Sequence, residues 1–295
     1  MSNQAVASRG NVEPGAAQAP ALRSRPAAPA SSRFAVGGGR HAAIKLASVA
    51  AFIALWQWLS SNHVDLKIIT FANIPAPSDV APAFLNLLES PKLAAHIGNS
   101  LWRVFAGFIA AAALGIGLGL IVGRSRWVAD ILMPPLEILR PIPGVAWIPV
   151  AILAFPSSEA SMIFITFMGA LFPVLLNTIH GVESVDPRLI ATARSLGAKP
   201  LSIFLEVILP SATPSITTGL AIGMGTAWFC LVTAEMISGE FGIGYFTWES
   251  YSLQNYADIL VGMVFIGAFG MLSSVFIKQA GRALTPWLAT QEKQH

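Results

Sequence analysis

The sequence predicts an all-α polytopic membrane protein with six transmembrane helices and both termini on the cytoplasmic side. Three observations carry this. Of its 295 residues, 54% are hydrophobic and 11% charged, against roughly 25% charged in an ordinary soluble domain, and the mean hydropathy is +0.64. Six apolar runs of about 18–29 residues are each long enough to cross a hydrocarbon core about 30 Å thick as a helix. Lys and Arg gather in the connections on one side of those runs, and that asymmetry sets orientation.

The first 40 residues are rich in Ala, Pro, Ser, Gly and Arg and too poor in large apolar side chains to pack a core, so 1–40 is expected to be a disordered tail. Its first apolar stretch begins only near Ala42, late for a secretory signal, so an uncleaved start is expected. A membrane domain is expected over 41–285, with a cytoplasmic loop at 183–211, followed by a C-terminal tail at 286–295. The runs fall at 42–61, 99–122, 128–155, 161–181, 212–235 and 257–278. The tail, Arg124 and Arg126, the loop cations Arg188, Arg194 and Lys199, and Lys278, Arg282 and Lys293 share one side, which the charge rule makes cytoplasmic. The opposite connections hold Lys67 and Lys92 against six carboxylates: Asp65, Asp79, Glu89, Glu240, Glu249 and Asp258.

Between the first two runs, the extended Ile74–Pro77 stretch leads to Ser78 and Asp79, which are suited to cap a short amphipathic helix through Leu88 that lies across the bundle as a lid. Gly115, Gly119 and Gly123, and Gly219 with Gly223, are spaced four apart, which predicts close helix packing by the second and fifth spans, within one subunit or between two. The third run carries Pro134, Pro135, Pro141, Pro143 and Pro149, so it must be broken or kinked. Broken backbone at that depth belongs against protein or a water-filled cavity, so this span is expected to line a pathway. Phe241, Tyr245, Phe246, Trp248 and Tyr251 suit either an interfacial belt or a gate or contact surface for a delivered substrate. The single cysteine, Cys230, excludes a disulfide within the chain and a cysteine metal cluster, and reads as lipid-facing or packing.

The loop has its own grammar. Asp186 and Pro187 form an N-cap and first-turn pair, Gly197 stands as a C-terminal cap, and Lys199–Pro200 restarts the chain. Two short helices meeting at Gly197 follow. On the second, Leu201, Phe204, Leu205 and Ile208 recur at i, i+3, i+4 and i+7 and the helix is expected to end at Pro210. Such a stripe lies on a membrane surface or inserts into a groove on a partner.

The stretch from Ala191 through Ala193 and Gly197 to Ala198, closed by Val207, Ile208, Leu209 and Pro210, resembles the EAA loop of permease subunits of ABC importers. That pattern runs Glu-Ala-Ala, three residues, Gly, nine residues, Ile, any residue, Leu, Pro. Ala191 stands where the family has its glutamate, a departure that touches that residue's polar contact and not the helical docking. Further stretches in the same order, at Pro75–Ser78, Ser100–Val104, Leu139–Pro143, Ser184–Pro187 and Ala234–Met236, are similar to permeases of the nitrate, sulfonate, taurine and bicarbonate group. The resemblance spans about 75–287. It implies the type I (MetI-like) ABC importer permease fold in an inner membrane. It also implies two cytoplasmic ATPase subunits that hold the ATP, a second permease copy, most simply a homodimer, and a periplasmic or lipoprotein solute-binding protein. With lipid these complete the expected partners; no nucleic acid and no cofactor or metal of its own is expected. The residues assigned to ATPase coupling are Ala191, Ala193, Gly197, Ala198, Leu201, Phe204, Leu205, Ile208, Leu209 and Pro210.

The chain has no G-x-x-x-x-G-K-[ST] phosphate loop and no H-E-x-x-H or G-x-S-x-G arrangement, so it reads as a transport subunit rather than an enzyme. For the pathway, Arg140, Pro141, Pro143, Arg103, Glu235 and Trp228 are the candidates. Arg140 faces a cavity and holds an oxyanion with its planar fork, or snorkels to the headgroups. Arg103 attracts an anion or pairs with Glu235. Met224, Trp228 and Phe229 line the pathway or serve as packing, and His63, His96 and His180 show no metal spacing. An autonomous channel or secondary transporter accommodates Arg140 and the broken span equally well, but leaves the amphipathic loop without a task. Which anion is carried stays open among nitrate, taurine, other alkanesulfonates and bicarbonate.

Overall fold

The computed structural model describes residues 38–68 and 70–286. The expected N-terminal tail up to residue 37 and the C-terminal tail from 287 lie outside the described residues. By its internal contacts the chain divides into Met1–Ala51 and Phe52–His295. The described part of the first unit is the start of α1, Gly38–Ser61, so helix begins inside the stretch expected to be tail. Everything below concerns the second unit.

Apolar length makes the long helices. α2 is Pro77–Leu88, α3 Pro91–Arg124, α4 Arg126–Leu139, α5 Ile148–Ala154, α6 Ser158–Glu183, α7 Pro187–Ser195, α8 Pro200–Ser202, α9 Leu209–Ser238, α10 Ile243–Ser252 and α11 Tyr256–Leu284. Among the described residues, five helices are long and apolar enough to span a membrane, counting Pro200–Ser238 as one, and they number six if the bent pair of α4 and Gly144–Ala154, which includes α5, is one span. The bend is 85°. It falls at Arg140–Pro143, where Pro141 and Pro143 both lack the N–H a continuing helix needs, while α4 itself accommodates Pro134 and Pro135.

α6 is the centre, and glycines put it there. A Cβ on Gly119 would stand 2.6 Å from the Thr178 side chain, and one on Gly123 2.8 Å from Val182, so α3 closes on one face of α6. From the other side, a Cβ on Gly219 would meet Asn177 at 2.7 Å and one on Gly223 would meet Val174 at 3.0 Å. The small residues therefore pack the second and fifth spans against the fourth, within one chain. Leu175, Val174, Ala170, Ile165 and Met162 of α6 are buried in consequence. Apolar side chains facing away from α6, such as Ile109, Ile131, Met271 and Phe276, are exposed, as suits a solvent that is itself hydrocarbon.

α2 starts two residues earlier than a Ser78 cap would give. Ala76 is the N-cap, and Asp79 serves from inside the first turn by accepting from the Ala76 N–H at 3.2 Å, because Pro77 at N1 fixes the entry. The helix lies on α11, with Phe84 and Phe265 stacked at 5.3 Å.

Candidate functional site

At one end of the bundle lies the central loop. Asp186 accepts from the Arg188 N–H at 2.8 Å to cap α7. Gly197 takes the left-handed conformation (φ 81°), which lets Ala198 N–H reach Ala193 O at 3.0 Å and closes the helix in a Schellman-type cap. Beyond it the expected second short helix does not stop at Pro210. α8 runs through a π-helical stretch, Ile203–Ile208, straight into α9. The physical reason is the ring of Pro210: it has no N–H and collides with the carbonyl four residues back in a regular helix, and the wider π turn moves that carbonyl aside. Widening also changes which side chains share a face. Ile203 and Ile208 are buried and Phe204 half-buried against Val182 and Val185, while Leu201 is 68% and Leu205 49% exposed. The expected single stripe is thus split between the chain's own core and open surface. Ala191, Gly197 and Leu196 are exposed beside it; Ala193, Ala198, Leu209 and Pro210 are partly buried.

In the middle of the bundle, the bend between α4 and α5 leaves an open cavity of about 550 Å³. Arg140 and Pro143 line it together with Gly169 and Asn177 of α6 and Thr226 of α9. Arg140 is exposed and its side chain has no ion pair or hydrogen bond to a described residue. Thr226 gives its hydroxyl proton to its own helix at Gly223 O, and Asn177 Nδ2 donates to Pro173 O. Pro141 is exposed beside the bend. Phe229 lines this cavity and is 65% exposed. Cys230 packs beneath, so close to Gly144 and Gly169 that a Cβ on either would stand 2.7 Å from its sulfur.

Trp228 and Met224 do not line the cavity. They point the other way from α9 into the core, 3% and 1% exposed, and Trp228 Nε1–H donates to Ser273 Oγ at 3.0 Å, because an indole N–H in an apolar core needs an acceptor.

The far end holds a buried polar network. Arg103, 2% exposed, pairs with Glu235, fully buried, at 3.1 Å and with Glu159 at 2.7 Å, and donates to Phe241 O at 2.6 Å. Glu235 also accepts from Ser100 Oγ at 2.7 Å and Gly244 N–H at 2.9 Å. His96 Nδ1 lies 2.9 Å from Gly242 O and 3.1 Å from Gly242 N, so either tautomer finds a partner there. Both edges of the guanidinium are thereby occupied, and no donor of Arg103 points at open space. Glu159, Ser100 and His96 are the residues sequence reasoning missed. His96, Ser100 and Arg103 recur at i, i+4 and i+7 in an apolar helix, a polar stripe that would have revealed them. Among the described residues no group of three His, Cys, Asp or Glu side chains is placed to hold a metal ion.

Comparison with known proteins follows this geometry. Residues 114–290 match the family described as "Binding-protein-dependent transport system inner membrane component". The chain is 34% identical over 239 residues to the nitrate import permease protein NrtB of Synechocystis sp., covering 78% of this chain and 84% of that protein. It is 38% identical over 234 residues to a putative ABC transporter permease of Methanocaldococcus jannaschii (78% and 86% covered). It is 32% identical over 243 residues to the putative aliphatic sulfonates transport permease protein SsuC of Bacillus subtilis (82% and 87% covered). The chain belongs to this family of multi-pass inner-membrane transport components.

Proposed function

We propose that this member of the family is the permease subunit of an ATP-driven ABC importer and forms the membrane path of a small oxyanion. One observation carries the reading: the helix that begins at the exposed Leu201 and Leu205 is the same one that, as α9, lines the Arg140 cavity. A push on the loop therefore reaches the cavity through unbroken helix. The Lys and Arg count places the loop end in the cytoplasm. There the Gly197 turn and its exposed leucines dock into a groove on an ATPase subunit, two such subunits serving two permease copies and holding the ATP. A solute-binding protein delivers the anion at the far end.

Arg140 is the group that meets the anion. An unpaired guanidinium beside the middle of two spans is costly in hydrocarbon and lowers its cost against water and an oxyanion, which it grips bidentately. The names of the relatives support nitrate or an aliphatic sulfonate. Vesicles holding the chain with its ATPase and binding protein should take up nitrate or an alkanesulfonate only with ATP inside the compartment that faces the loop. Arg140→Gln should lower uptake at least tenfold while the ATPase still co-purifies. Full uptake by that variant removes Arg140 from the path, and uptake without ATP replaces the importer by a channel or secondary transporter.

A further inference from the structure

A second open cleft, of about 590 Å³, lies between α9 and α11 nearer the loop end. Its floor is a close approach: a Cβ on Gly281 would overlap the Thr217 side chain, so the two helices touch there. Lys278 and Arg282 project into the cleft one turn apart on α11. Like charges at that spacing repel, yet no Asp or Glu lines the cleft and neither cation has an ion pair among the described residues. Thr217 and Thr218 have already given their hydroxyl protons to Thr213 O and Pro214 O, so the cleft offers a ligand the two cations and the Ser274 hydroxyl. Two cations without an ion pair among the described residues, over an open recess at the end of a membrane helix, suit an oxyanion.

The cleft adjoins the Arg140 cavity along α9. Ile222 lines both, and Thr218, Ile222 and Thr226 are spaced four apart along one face of α9, where Thr218 and Ile222 are exposed and the Gly225 position opens onto empty space. We infer that Lys278 and Arg282 form a second anion station on that face, which takes the transported oxyanion from the Arg140 cavity as it leaves the membrane at the loop end. The inference rests on the anion-permease reading above. An anionic lipid offers the same phosphate-type oxygens, so the test has to separate the two sources.

With Cys230→Ser as background, Thr218→Cys reports on the cleft and Thr226→Cys on the Arg140 cavity. The full chain with its partners is placed in phosphatidylcholine vesicles. The rate of modification by an anionic methanethiosulfonate is then read with nitrate or ethanesulfonate, against gluconate at equal ionic strength. Either anion should slow modification of Thr218→Cys about tenfold, the scale of anion enrichment in a focused cationic cleft. The pair K278Q and R282Q should abolish that slowing and leave protection at Thr226→Cys intact. Protection at Thr226→Cys without protection at Thr218→Cys overturns the station alone. Slowing that appears only when phosphatidylglycerol is added, and not with the small anions, makes it a headgroup site and also overturns the station. Absence of protection at both positions overturns the anion-permease reading and the station with it.

Discussion

The two ends of the bundle solve opposite problems. At the far end, Arg103, Glu235, Glu159 and Ser100 satisfy one another while His96 meets the Gly242 backbone, and together they tie α3, α6, α9 and the start of α10 into one knot that is buried except at Glu159. At the loop end, Leu196, Leu201 and Leu205 are exposed and Arg194 and Lys199 form no ion pair with a described residue. One end satisfies its polar groups with its own residues, and the other leaves leucines and cations open where the proposal above docks the ATPase. Substitutions at the far end should therefore register in the stability of the isolated chain, and those at the loop end in what it binds.

The largest effect is expected for Glu235→Ala, which strands one guanidinium N–H group and two further donors, the Ser100 hydroxyl and the Gly244 N–H. Breaking one partner out of a buried pair costs about 3–5 kcal/mol, and thermal unfolding in detergent should show it; an unchanged midpoint would mean the far end is not a closed knot. Next comes Gly242→Ala. Its backbone is extended, so a side chain is conformationally free, but the Cβ would run into the Glu235 carboxyl group, for a loss of about 2 kcal/mol in the same assay. Gly197→Val sits in open space, and its cost is the left-handed backbone alone, about 1–2 kcal/mol; ATPase co-purification should fall further than that melting shift suggests. The smallest stability change, within about 0.5 kcal/mol, belongs to Leu201→Ser with Leu205→Ser. If ATPase retention also stays at the wild-type level, the docking surface lies elsewhere.

Local chemistry made much of this architecture legible. The apolar runs marked every span, the prolines after Leu139 marked the bend, and Asp186–Pro187 and Gly197 marked the ends of α7. What stayed hidden depends on distant residues. Glu159 looks like an ordinary first-turn carboxylate of α6 until α3 brings Arg103 to it across 56 residues. The phase of Leu201, Phe204, Leu205 and Ile208 followed a regular 3.6-residue period, whereas the π stretch shifts the later residues around the axis and sends Ile203 inward instead. Aromatic identity did not tell the faces of α9 apart, since Trp228 and its neighbour Phe229 are buried and exposed respectively.

The π stretch has a consequence for how this sequence can vary in length. A π turn is a regular helix carrying one surplus residue. Deleting one residue from 203–208 together with Pro210→Ala would absorb that surplus and leave the helix after it in phase with the helix before it. A single deletion anywhere later in α9 has no such reserve: it turns all that follows by about 100°, and past Ser211 that rotation would carry Gly219 and Gly223 off α6. Single-residue insertions and deletions among relatives of this chain are therefore expected to be absent from α9 between Ser211 and Gly223.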